Sequence, residues 1–270
     1  LTRATAAPAP SVLLVRRVFL ALLGAVAAIA FLSLWVQLQG LVGQGGILPG
    51  CAFLERAHAE LGGEVWWTLP GVFLLHCSDA ALQGACALGV ALSLLLMAGV
   101  APSLAAAGIW LLYLSLSAVG NLFLSYQWDI LLLESSFLAI FLAPRVWRPR
   151  DLWRTRVPRS ALWLLRWLVF RLFFLSGAVK LLSGDPTWRD LTALQYHYFT
   201  QPIPAWTSWY AYQLPALFQS ASVAVMFVIE LVLPFAALGP RLLRAAAAAG
   251  MVLLQVLIGL TGNYGFFNLL

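Results

Sequence analysis

The sequence predicts an all-α, polytopic transmembrane helical bundle with about seven spanning segments, and three observations lead there. Hydrophobic residues make up 62% of the 270 and charged residues only 10%, against roughly 25% charged in a soluble domain. Mean hydropathy is +0.90. Apolar runs such as ALSLLLMAGV (91–100) are unbroken, whereas a barrel strand alternates apolar and polar residues over about 10 positions.

Residues 1–17 open on an Ala/Pro-rich stretch, LTRATAAPAP, without periodicity, and are read as a disordered cytoplasmic segment. Residues 18–270 are read as one multi-pass transmembrane domain. The first span is 18–38. Arg16 and Arg17 before an apolar run would suit a signal peptide, but the run is long and 37–40 is not a small-residue cleavage site. A short interfacial piece at 69–77 precedes spans at 80–99, 104–124 and 128–143, the last two joined by a tight hairpin at 125–127. A fifth span, 161–182, is followed by 183–220, which is too polar to cross and is broken by Pro186, Pro202, Pro204 and Pro215. It should lie along the luminal face. Spans at 221–238 and 245–261 complete the set, each of the seven approaching the ~20 residues that cross a ~30 Å core, with the fourth and seventh short.

Counting spans from a cytoplasmic N-terminus puts Arg3, Arg16, Arg17, the six arginines from Arg145 to Arg159, Arg241 and Arg244 on one side. Only Arg56 and Arg189 fall on the other. This is the positive-inside asymmetry, and it places the C-terminus in the lumen. Trp147, Trp153, Trp163 and Trp167 mark the cytoplasmic interface, and the aromatics from Trp188 to Tyr212 the luminal one. The net charge of +6 is therefore an orientation signal with some attraction to anionic lipid. A basic cluster on a short loop between spans argues against nucleic acid. The partner it implies is the lipid bilayer.

Asp129, Glu134 and Glu230 fall inside the proposed spans, as do Arg166, Arg171 and Lys180. A charge at the centre of a spanning helix costs roughly 2.5–3.5 kcal/mol on insertion scales, so each needs a partner or a task. At ~1.5 Å per residue, Asp129 and Lys180 lie within roughly 5 Å of the luminal surface, Glu134 near 10 Å, and Glu230 and Arg171 near 15–18 Å. Depth matching predicts a network of Asp129, Glu134, Arg171, Lys180 and Glu230, in which Asp129 pairs with Lys180 and Arg171 bridges Glu134 and Glu230. Arg166 is close enough to the cytoplasmic end to snorkel. Ion pairs that fix helix register are one reading of this network, and a relay or catalytic centre is the other.

No HxxxH, HExxH or CxxC spacing occurs, so no metal site is implied. P-loop, GxGxxG and GxSxG motifs are absent as well. His197, within Tyr-His-Tyr, is the acid–base candidate for a luminal pocket, set against an ordinary interfacial histidine. Cys51 and Cys77 fall on one predicted luminal loop, where they could pair or stay as small apolar residues. Cys86 lies in the second span.

Several long motifs occur in order: GLVGQGGILP (40–49), YQWDILLLE with FLAIFLAP (126–144), LRWLVFRLFFLSGAVKL (165–181), TWRDLTALQYHYFTQPIP (187–204), FVIELVLP (227–234) and QVLIGLTGNYGFFNLL (255–270). On these the chain resembles the lipase maturation factor family, more closely its second vertebrate-type branch. It departs from the family pattern at Ser135-Ser136, where a small residue and Gly are usual, at Phe199 in place of Glu, and at Gly265 in place of Asn. The resemblance implies a multi-pass endoplasmic reticulum membrane factor that assists maturation of secreted lipases, lipoprotein lipase being the type client. It implies no catalytic residue and no cofactor. Family members continue into a large luminal domain implicated in client binding, and this chain, opening at Leu1 and stopping at an apolar segment, is expected to be a piece of such a protein. The rival reading is a membrane-embedded enzyme similar to the helical domain of vitamin K-dependent carboxylase. A transporter ranks last, since no internal repeat or matched broken helices are visible.

Overall fold

A computed structural model describes residues 10–201 and 203–270. The expected disorder of 1–9 lies outside them. All regular structure among the described residues is helical, as lipid requires of segments whose backbone groups must be satisfied internally.

Contacts divide the chain into two compact units, with the boundary between Leu162 and Trp163. The first contains α1 (Pro10–Leu41), α2 (Gly50–Leu61), α3 (Val65–Thr68), α4 (Asp79–Ala98), α5 (Pro102–Gly120) and α6 (Gln127–Leu142). The helix α1 starts at Pro10 rather than at residue 18, so 10–17 belong to it. The chemistry of α4 sets both its ends. Ser78 accepts a hydrogen bond from the Ala81 amide, and Gly99, at φ 78°, returns its amide to the Leu95 and Leu96 carbonyls.

Small residues let α1 and α4 approach closely. A Cβ on Gly24 would come within 2.8 Å of the Ser93 carbonyl oxygen, and one on Gly89 within 2.4 Å of the Phe31 ring. The glycine-rich motif after α1 folds back on its own helix. The Ile47 and Leu48 amides bond to the Gly40 and Leu41 carbonyls, and a Cβ on Gly43 would meet the Gln39 carbonyl at 2.7 Å.

One end of this unit carries a Cys51–Cys77 disulfide with a Cα–Cα distance of 5.5 Å, which ties α2 to the segment before α4. The piece expected at 69–77 is a 3-10 turn, Val72–Leu74. It is seated on α5 by a 3.0 Å bond from the Val72 amide to Ser115 Oγ.

The opposite end is basic. Arg16 is 2% exposed and donates to the carbonyls of Leu152, Thr155 and Arg156, while Arg17 donates to the Met97 carbonyl. The two terminal nitrogens of this buried guanidinium are thus held by carbonyls at and just past the end of the 3-10 turn Pro149–Trp153, where helix-end partial charge is negative.

Among the described residues, six helices are long and apolar enough to cross a bilayer: Ser11–Leu41, Asp79–Ala98, Pro102–Leu124, Arg159–Leu182, Ala216–Ala237 and Arg241–Thr261. The chain is a multi-pass membrane protein. The expected fourth span is α6, whose 16 residues extend only about 24 Å and fall short of that length. It nevertheless joins the two ends of the unit: α5 and α6 pack together, and near the basic end Ser103 Oγ donates to the Ile140 carbonyl.

The second unit holds α7 (Arg159–Leu182) from Trp163 onward, α8 (Pro186–Arg189), α9 (Ala193–Thr200), α10 (Trp206–Tyr212), α11 (Ala216–Phe227), α12 (Leu233–Ala237) and α13 (Arg241–Thr261). Its core is Phe173, Ile229, Met251 and Leu254, packed against Leu172, Met226, Leu233, Ala237 and Ile258. A π turn, Val228–Val232, joins α11 to α12. Pro234 supplies the cause, because its ring would clash with the carbonyl four residues back, at Glu230, and a wider turn relieves the clash. As expected, 183–215 does not span and forms the short helices α8 to α10, whereas 216–220, expected outside the span, belong to the apolar helix Ala216–Ala237.

Candidate functional site

Asp129 stands in the first turn of α6, 1% exposed. Its Oδ1 accepts the Tyr113 hydroxyl proton at 2.5 Å, and its Oδ2 is buried without a hydrogen-bond partner. Tyr113, also 1% exposed, is set by an edge-on contact with Phe31 at 5.4 Å. The expected Asp129–Lys180 pair is therefore corrected: the carboxyl's partner is a phenol on the adjacent antiparallel helix. Sequence reasoning missed Tyr113 because it searched for opposite charge alone, although a buried phenol on a neighbouring helix can also donate to a carboxyl oxygen.

Lys180 belongs to the second unit's polar centre. Its Nζ donates to both oxygens of Glu230, at 2.7 and 2.8 Å, and to Ser176 Oγ at 3.0 Å. Ser176 also donates to Glu230 Oε1 at 3.2 Å. The ammonium lies 5.5 Å from the Trp188 ring centroid, a cation–π contact. Gly177 permits the approach, since a Cβ there would meet the Leu231 side chain at 2.8 Å and Glu230 Cβ at 3.0 Å.

Glu230 was expected opposite Arg171, and it is held by Lys180. Depth counting placed it too deep because it assumed that every helix starts at one plane. Glu230 lies about 21 Å along the continuous helix from Ala216, yet it meets a residue in the last turn of α7. The first turns of α11 therefore run past the end of α7, where the Phe227 ring meets Trp188. Glu134 lies in α6 and Arg171 in α7, and neither lacks a partner.

His197 bonds through Nε2 to the Tyr264 hydroxyl at 2.8 Å, with the two rings parallel. Burial, and secondarily the Lys180 charge, push its pKa below the usual imidazole value. The Tyr264 phenol is pushed up by burial and then by Tyr198, so it keeps its proton. A neutral imidazole beside a protonated phenol can accept its hydrogen bond.

This contact joins two of the long motifs, and others reinforce the junction. Gln201 Nε2 and Ser208 Oγ donate to the Thr261 carbonyl at 2.9 and 2.8 Å, and the Thr207 hydroxyl donates to the Leu260 carbonyl. These side chains satisfy carbonyls that the end of α13 leaves open. Gly265 adopts φ 58°, a left-handed conformation that Gly and Asn tolerate. Phe199, in place of Glu, is 55% exposed and stands edge-on to Tyr212.

The His197 geometry carries a pH prediction. A lowered folded-state pKa means that the unfolded chain binds the proton more readily, so the contribution is present above about pH 6.5 and is lost as pH falls through the depressed folded value. Thermal midpoints of the detergent-purified protein should drop between pH 7.5 and 5.5, and His197→Gln should flatten that dependence. An unchanged profile in the variant would show that His197 does not govern it.

A family model described as lipase maturation factor transmembrane domain matches residues 14–270. Lipase maturation factor 2 of Gallus gallus is 44% identical over 272 residues, covering 94% of this chain and 37% of that protein. The Homo sapiens protein of the same name is 41% identical over 94% of this chain and 38% of its own length. Lipase maturation factor 1 of Bos taurus is 36% identical over 94% of this chain and 47% of its own length. The chain thus spans less than half the length of each of these relatives. No solved structure matches, and the carboxylase reading gains no support. The chain belongs to the lipase maturation factor family, on the side of its second branch.

Proposed function

We propose that this chain is the membrane part of a factor that assists folding and maturation of secreted lipases in the endoplasmic reticulum, acting as a noncatalytic anchor that positions client-binding parts of a longer protein. The family match over 14–270 carries the reading, together with relatives that are much longer than the chain. Charges that satisfy one another, as Lys180 and Glu230 do, support a structural role for Asp129, Glu134, Arg171, Lys180 and Glu230. His197, bonded to Tyr264, serves the same role. Cells lacking the native factor should recover secreted lipase activity with the full-length protein and not with residues 1–270 alone. Recovery with the membrane part alone would overturn the anchor reading.

The N-terminus and the arginine loop face the cytoplasm in this proposal, and the disulfide-bearing end faces the lumen. The Cys51–Cys77 bridge supports it, since disulfides persist on the oxidising side. So does α6, which carries the chain between the disulfide and arginine ends. The sequence contains no N-x-S/T acceptor, so introduced acceptors report cleanly. One at the exposed residues 59–63 should be glycosylated and one at 153–155, made by Trp153→Asn, should not. The reverse pattern would invert the orientation.

A further inference from the structure

The loop 145–159 contains six arginines and a single acid, Asp151. Arg145, Arg148, Arg150, Arg154 and Arg159 are exposed, and among the described residues no carboxylate lies within ion-pair distance of them. An orientation signal needs only the charges, in any conformation. This loop is instead built. Leu152 is 2% exposed, and the buried Arg16 guanidinium fastens the carbonyls of Leu152, Thr155 and Arg156. The Ala101 amide bonds to the Trp147 carbonyl. The five guanidiniums therefore project from a fixed platform.

The platform's position identifies what it meets. It stands where α1 begins and α4 and α6 end, which is the membrane surface for helices that cross the bilayer. Trp147 and Trp153 are 73% and 47% exposed, amphipathic side chains suited to headgroup depth. Beside them opens a recess of about 200 Å³ lined by Ala101, Ser103, Leu104, Arg145, Val146 and Trp147, with no acid on its wall. Guanidinium forks match phosphate oxygens in geometry as well as in charge.

We propose that this platform binds the phosphate-bearing headgroups of anionic phospholipids in the leaflet it faces, with Arg145 and its recess holding one headgroup. The site is independent of which client the protein serves. Its ligand is a lipid rather than a free anion, because the recess lies at the level where the bilayer presents phosphates beside the exposed tryptophans.

The test uses the purified chain in a neutral detergent, titrated with phosphatidylserine or phosphatidylcholine and read by native mass spectrometry and thermal midpoint. Wild type should bind phosphatidylserine preferentially and gain stability from it. Arg145→Gln/Arg148→Gln/Arg150→Gln changes only exposed side chains, and its phosphatidylserine affinity should fall roughly ten- to hundredfold at an unchanged midpoint in lipid-free detergent. Arg241→Gln/Arg244→Gln, with charge removed elsewhere, should keep the preference. Equal binding of the two lipids by wild type would overturn the proposal. So would a triple variant that retains the preference, or an equal loss in the Arg241/Arg244 variant, which would indicate net charge alone. Competition by inorganic phosphate or glycerophosphate at matched concentration would assign the site to a free anion, and binding only of an acidic protein from the cytosolic fraction would assign it to a protein partner.

Discussion

Glu230→Gln lowers the stability of the folded protein by about 3–5 kcal/mol, the range expected when one member of a buried ion pair is removed. Glu230 is 2% exposed and Lys180 stands on both of its oxygens, so the substitution leaves an ammonium with only Ser176 and the Trp188 ring. The double change Lys180→Met/Glu230→Gln removes charge and partner together, and should cost clearly less than the sum of Lys180→Met and Glu230→Gln made singly. Unfolding in detergent followed by tryptophan fluorescence measures all three. Additive losses would mean that the two groups act separately and that the pair does not organise the packing of α7 on the π turn.

The second large effect is loss of the Cys51–Cys77 bridge. Its 26-residue separation corresponds to about 3–4 kcal/mol of loop-closure entropy removed from the unfolded chain. Cys51→Ser/Cys77→Ser should lower the thermal midpoint, and a reductant should lower wild type to the same value without affecting the variant. Cys86 is buried in α4, so the reductant acts on the bridge alone. A wild-type midpoint indifferent to reductant would show that the bridge contributes nothing to stability.

Hydropathy located the helices, because burying backbone in lipid leaves little choice but helix. Boundaries shifted where local chemistry intervened: α1 extends back to Pro10, and α11 begins at Ala216, after Pro215. Partners were less legible. The charged residues that need satisfaction could be read directly, but satisfaction is a matter of side-chain reach across neighbouring helices. Asp129 found Tyr113, and Glu230 found Lys180 through a stagger that no residue count contains. The role of Arg16 as a pin for the arginine loop was equally hidden, since by position it reads as one more charge flanking a span. Cys51 and Cys77 were visible as candidates on one loop, and only the fold of α2 against α5 brings them to bonding distance.

Composition, the ordered motifs and the distribution of arginines were enough to determine a multi-pass helical membrane chain and its family, because the bilayer imposes one-dimensional rules of length, polarity and charge. Tertiary structure alone decided which buried groups satisfy one another, since helix stagger and the π turn at Glu230 set contacts in three dimensions that spacing along one chain does not encode.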